Sequence, residues 1–147
     1  MLEIDEALLA EIHELAEAAY PEEGAGMLLG SAESDRKRVS VLLPLTNARE
    51  DSARHYRYLL TAEDYLRGEQ EAARHGLDIV GVFHSHPDHP SRPSAFDLEW
   101  AMPWFSYLIT SVQQGRSQNS RSWKLSGDRS QFIEEKILSV SRPRQIN

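Results

Sequence analysis

The segment Asp78-Ile79-Val80-Gly81-Val82-Phe83-His84 constrains this chain more than any other. Its β-branched and aromatic side chains fit a pleated, packed surface, so it reads as a central strand. Prolines at 87, 90 and 93 then force a loop, because proline cannot donate to a sheet ladder. The rest of the chain supplies the partners such a strand needs. Leu8, Leu9, Ile12, Leu15, Ala16 and Ala19 recur at helical spacing and predict an amphipathic helix over residues 5 to 19, capped by Asp5 and stopped by Pro21. Gly24 to Gly30 reads as a buried strand, Arg38 to Thr46 as a second, and Tyr56 to Leu60 as a third after a polar loop from Asn47 to Arg54.

Thr61-Ala62-Glu63-Asp64 resembles a capping box and starts a helix to about His75, with Gly76 as its C′ residue. Ser94 to about Ala101 reads as a short helix. Tyr107 to Val112 and Ser122 to Leu125 are strands that close the sheet, and Gln131 to Val140 fits either a strand or a short helix. The expectation is one α+β (αβα) domain over residues 1–140, a mixed central sheet flanked by helices, with a polar tail at 141–147.

Sixteen Lys and Arg against twenty-three Asp and Glu give a net charge of −7 in 147 residues. An acidic chain is a poor sequence-independent nucleic-acid binder, which needs clustered cations. The absence of cysteine excludes a disulfide framework, a thiolate zinc site and a cysteine nucleophile. No apolar run approaches the roughly 20 residues of a membrane span. The acidic start Met1-Leu2-Glu3-Ile4-Asp5-Glu6 is unlike a signal peptide, so the expected location is the cytoplasm.

Three of the six histidines, His84, His86 and His89, fall within six residues at the end of the central strand. In extended chain, positions i and i+2 face the same side, so the imidazoles of His84 and His86 can converge. Asp97 follows eleven residues after His86, near the start of the next helix. Two neutral imidazoles and a carboxylate suit Zn²⁺, and three protein ligands leave a fourth position for water, the pattern of a catalytic site. A hydrolase also needs a base, and Glu22 and Glu23 stand directly before Gly24-Ala25-Gly26.

His84-Ser85-His86-Pro87, six residues, then Ser94-Ala95-Phe96-Asp97 resembles the His-x-His-Pro-x6-Ser-x-x-Asp motif of the JAMM (MPN-plus) zinc metalloproteases. Glu22-Glu23-Gly24-Ala25-Gly26 resembles that family's Glu-x-Cys-Gly strand, with Ala25 in place of the usual cysteine. The resemblance covers nearly the whole chain. It implies a cytidine-deaminase-like MPN domain in which His84, His86 and Asp97 bind Zn²⁺. It also implies Glu23 as general acid/base, with Glu22 the neighbouring alternative, and Ser94 as a hydrogen-bond donor to the oxyanion. The short form resembles the bacterial branch, which implies hydrolysis of a peptide or isopeptide bond after the Gly-Gly C-terminus of a ubiquitin-like sulfur-carrier protein. The chain is short of the insertions with which larger relatives grip ubiquitin chains.

Other readings stand beside this one. Ser94 and Asp97 also form a capping-box-like pair whose side chains satisfy backbone N–H groups. His84 and His86 could be a strand-end pair without metal. Trp100, Trp104 and Phe105 read as core or rim, and Arg116, Arg121, Arg142 and Arg144 as surface charges. Rival functions are a catalytically silent MPN-fold scaffold for protein binding and a zinc hydrolase acting on other peptides.

Overall fold

The computed structural model describes residues 1–45 and 60–141. The loop expected at Asn47–Arg54, most of the strand expected at Tyr56–Leu60, Arg142, Arg144 and most of the polar tail lie outside the described residues. The elements run β1 (Leu2–Asp5), α1 (Glu6–Ala19), β2 (Ala25–Glu33), β3 (Arg36–Leu45), α2 (Ala62–Arg74), β4 (Asp78–Pro87), α3 (Ala95–Glu99), β5 (Ser106–Gln113), β6 (Arg116–Leu125), β7 (Phe132–Glu135) and β8 (Ile137–Val140).

The eight strands form one mixed sheet in the order β7-β6-β5-β4-β2-β3-β1-β8. The expected central strand, β4, lies inside it, antiparallel to β2 and parallel to β5. Alternation along the strands feeds two faces. Leu28 and Phe83 pack in a cluster with Ile12 and Leu8 of α1. Met27 and Leu29 pack instead with Ala72 and Tyr65 of α2. Val82 joins Ala101, Phe105 and Tyr107, with Leu98 of α3 packed against them. The helices therefore cover opposite faces of the sheet, as the hydrophobic patterning predicts. Gly81 allows the close approach of β4 and β5, since a Cβ there would stand 2.1 Å from the carbonyl oxygen of Ser106.

The helix starts follow local chemistry. Asp5 caps α1 by accepting from the Ala7 N–H at 2.8 Å. Thr61 and Asp64 form the expected reciprocal capping box on α2. The last third of the sequence departs from expectation. Residues 131–140 hold two strands, and they lie at opposite margins of the sheet. β6 reaches back to Arg116 and is followed outward by β7, so it does not close the sheet. β1, a strand without a local signal, pairs parallel with both β3 and β8.

A single residue, Lys136, joins β7 to β8, and its carbonyl accepts from the Leu2 N–H at 2.9 Å. The sheet is curled until its margins meet there. Across the inside of the curl, Lys37 Nζ of β3 donates to Ser106 Oγ of β5 at 2.9 Å. Glu135 is buried beside them and accepts from Ser122 Oγ at 2.8 Å. Burial opposes ionisation of the Glu135 carboxyl, but hydrogen bonds from Ser106 and Ser122 and the charge of Lys37 outweigh it and hold the group below the usual range. No described helix is long and apolar enough to cross a membrane.

Candidate active site

β4 sends Phe83 and Ser85 toward α1 and turns His84 and His86 to the other face, where Val82 also lies. Both histidines are buried, and their Nε2 atoms stand 3.2 Å apart. Nδ1 of His86 lies 2.9 Å from the carbonyl oxygen of Pro90. A carbonyl can only accept, so Nδ1 carries the proton, and in the neutral ring Nε2 keeps its lone pair.

Asp97 approaches both imidazoles. Oδ1 is 3.3 Å from His84 Nε2, and Oδ2 is 3.3 Å from His86 Nε2. The same side chain completes the capping box of α3. Ser94 N–H donates to Asp97 Oδ2 at 2.7 Å, and Asp97 N–H donates to Ser94 Oγ at 3.1 Å. The two readings of Ser94 and Asp97 are thus compatible: the cap sets the carboxylate's orientation, and the carboxylate reaches the histidines. Burial works against ionisation of Asp97, yet His84 beside it and the N–H of Ser94 hold its carboxyl far below the usual range. Because Ser94 Oγ accepts from Asp97, its own proton can be donated outward.

Glu23 enters from the turn between α1 and β2. It is 5% exposed, and a carboxylate oxygen lies within 4.8 Å of ligand atoms on both His84 and His86. Glu22, the neighbouring alternative, is half-buried and outside that group. Two hydrogen bonds fix the turn to β4: Gly24 N–H donates to Ser85 Oγ at 2.8 Å, and Ser85 N–H donates to Gly24 O at 2.9 Å.

The proline loop is pinned to the far strands. Asp88 N–H donates to Val112 O at 2.6 Å, and Ser111 Oγ donates to His89 O at 2.7 Å. The Asp88 carboxylate accepts from Gln114 N–H at 2.8 Å and from the Tyr20 hydroxyl at 2.7 Å. Those two bonds lower its pKa. Ser85, Pro90 and Tyr20 are supports that the sequence reading missed. The four-residue step from His86 to Pro90 within a proline loop is the one local sign that could have flagged any of them.

Two clefts meet at Asp97. One, of about 230 Å³, is lined mainly by Leu60, Tyr65, Val82, Phe96, Trp100 and Tyr107, together with His84. The other, of about 290 Å³, is lined by Glu23, His86, His89, Arg92 and Ser94 together with Pro87 and Pro90. Phe105 belongs to the core, whereas Trp100 and Trp104 are exposed rim residues.

The donor set fits a divalent ion. A tetrahedral ion with bonds of roughly 2.0–2.1 Å holds its ligand atoms about 3.3–3.4 Å apart. His84 Nε2 and His86 Nε2 stand 3.2 Å apart, and a different oxygen of Asp97 lies 3.3 Å from each, so a small turn of the carboxylate would bring one oxygen to an ion between them. Glu23 is close enough to act on what such an ion holds, or to contribute a ligand atom itself.

Comparison with known proteins finds relatives of both sequence and fold. The family of prokaryotic homologs of the JAB domain matches residues 5–126. A desampylase of Haloferax volcanii is 33% identical over 107 residues, covering 72% of this chain and 74% of that protein. A probable TtuB-protein conjugate cleaving protease of Thermus thermophilus is 31% identical over 118 residues, covering 77% of this chain and 74% of that protein. A solved structure of a protein from Salinibacter ruber superposes with a TM-score of 0.74 at 43% identity, covering 98% of this chain and 95% of that one.

Proposed function

The chain belongs to the family of prokaryotic JAB-domain homologs, and from that premise we propose that it is a zinc-dependent peptidase or isopeptidase. Its substrate in this reading is a conjugate of a ubiquitin-like sulfur-carrier protein, cut after the carrier's Gly-Gly C-terminus, in the cytoplasm. The named relatives, a desampylase and a conjugate-cleaving protease, support the substrate class. The observation that carries the chemistry is the meeting of two imidazoles, one carboxylate and a second carboxylate at the junction of two clefts.

His84, His86 and Asp97 would hold the zinc. Zinc there supplies a Lewis acid that acidifies water and polarises a carbonyl. Glu23 takes the proton of the attacking water as the water adds to the scissile carbonyl carbon. Ser94 O–H donates to the oxygen that gains negative charge. Glu23 then gives its proton to the departing amine as the carbon–nitrogen bond breaks. Pro90, through its carbonyl, keeps the His86 tautomer that offers a lone pair at Nε2.

The test combines metal analysis with turnover. The purified protein should hold about one zinc, Asp97→Ala should lose it, and Glu23→Gln should keep it without cleaving a Gly-Gly-tailed carrier conjugate. Equal zinc in wild type and Asp97→Ala would remove the ligand assignment. Normal turnover in Glu23→Gln, with loss in Glu22→Gln, would move the acid/base by one residue.

A further inference from the structure

Pro87, Pro90 and Pro93 bring no N–H to the loop after β4, so those positions cannot be tied down through donors of their own. The loop is held through its acceptors. Three consecutive carbonyls each receive a hydrogen bond from a different strand. Ser111 Oγ of β5 donates to His89 O at 2.7 Å, His86 Nδ1 of β4 to Pro90 O at 2.9 Å, and Trp123 Nε1 of β6 to Ser91 O at 3.0 Å.

The two outer donors are themselves fixed. Ser111 is 3% exposed, and its oxygen accepts from Gln113 Nε2 at 3.1 Å, which leaves its proton for His89. Trp123 packs against the cluster of Val82, Phe105 and Tyr107, and an indole nitrogen can only donate. Ser91 adds a further tie, from its Oγ to Asn119 Oδ1 at 2.6 Å. Asn119 stands opposite Ser111 in the β5–β6 pairing, so one rung of the sheet grips the loop on both sides of Pro90.

The middle carbonyl bears on the chemistry. Pro90 O accepts from His86 Nδ1 and so keeps the lone pair on Nε2, the atom that meets His84 and Asp97. A neutral imidazole with its proton on Nε2 cannot ligate a metal through that atom. Pro90 has no donor with which to steady its own carbonyl, so the peptide units on either side set its place. We propose that Ser111 and Trp123 are positioning residues of the metal centre. By holding the carbonyls of His89 and Ser91 they fix that of Pro90, and with it the tautomer and angle of the His86 ring. This inference rests on the assignment of His86 as a metal ligand in the peptidase reading above.

The experiment compares wild type, Ser111→Ala, the benzothiophene analogue of tryptophan at Trp123, which keeps the shape and lacks the N–H, and both changes together. Zinc affinity is measured by competition with a chromophoric chelator, and the stability of the zinc-free protein by urea titration. A direct partner of a ligating histidine typically contributes ~10–100-fold in metal affinity. Residues one step further out should weaken zinc binding by ~3–10-fold singly and ~10–100-fold together. Unchanged zinc affinity in both single changes, whatever their urea midpoints, overturns the proposal and leaves the peptidase reading standing, because a support that acts on the loop alone lowers only the midpoint. If wild type takes up no zinc, the peptidase reading falls, and nitrogen NMR of the neutral His86 ring decides the positioning. A proton on Nδ1 in wild type that shifts toward Nε2 in the single changes supports it, and the same tautomer throughout overturns it.

Discussion

Removing the hydroxyl of Ser85 tests how the acid/base is held. Ser85 is 2% exposed, and its Oγ accepts from Gly24 N–H at 2.8 Å, one residue beyond Glu23. In Ser85→Ala that donor loses its acceptor, and an unsatisfied, mostly buried N–H costs about 1–2 kcal/mol. For a domain near this size each kcal/mol moves Tm by roughly 2–4 °C, so the melt should fall by about 2–8 °C. The second tie, from Ser85 N–H to Gly24 O at 2.9 Å, remains, so the β2–β4 pairing and the histidines stay in place. Zinc content should therefore match wild type. The backbone that carries Glu23 is then less firmly placed, and a displacement of about 1 Å can cost up to ~100-fold in rate. We expect kcat to fall by ~10–100-fold, read by steady-state kinetics beside a metal assay and a thermal melt. A lowered Tm with unchanged kcat would show that the hydroxyl stabilises the turn without positioning Glu23. An unchanged Tm would refute the hydrogen bond itself.

Gly81→Ala places a Cβ 2.1 Å from the Ser106 carbonyl, and because backbone must move it should destabilise by about 3 kcal/mol or more in urea titration; a wild-type midpoint would mean that β5 can yield. The Asp88 carboxyl has a lowered folded pKa, so its contribution is fully present above the ordinary carboxylate range and disappears as pH falls through the folded value; Asp88→Asn should flatten that acid limb of the stability curve, and an unchanged limb would count against the Gln114 and Tyr20 bonds. Tyr107→Phe removes the oxygen that accepts from Met102 N–H at 2.6 Å, and should cost about 1 kcal/mol in the same titration, with a null result indicating that water replaces it.

Where chemistry depends on neighbours along the chain, the sequence was readable. His84 and His86 share a face because β4 is extended, and Ser94 and Asp97 are three apart, the spacing of a capping box. α1 and α2 announced themselves through periodicity and caps. What stayed hidden depends on distant pairing. Leu2-Glu3-Ile4-Asp5 becomes a strand by lying between β3 and β8, neither of which is close in sequence to both its ends. Residues 131–140 carry no mark showing that they divide at Lys136. Burial separates Glu23 from Glu22, and two adjacent glutamates look alike until the turn is folded.

The Lys136 crossing has a mechanical corollary. With β7 and β8 tied by one residue, neither margin can peel away by more than the reach of a single peptide unit without dragging the other. Each terminal strand is also four residues long, which offers a poor template to a neighbouring molecule seeking to add a strand. The fold is a hoop fastened by its own thread, and slack at the hinge residue would loosen both rims together.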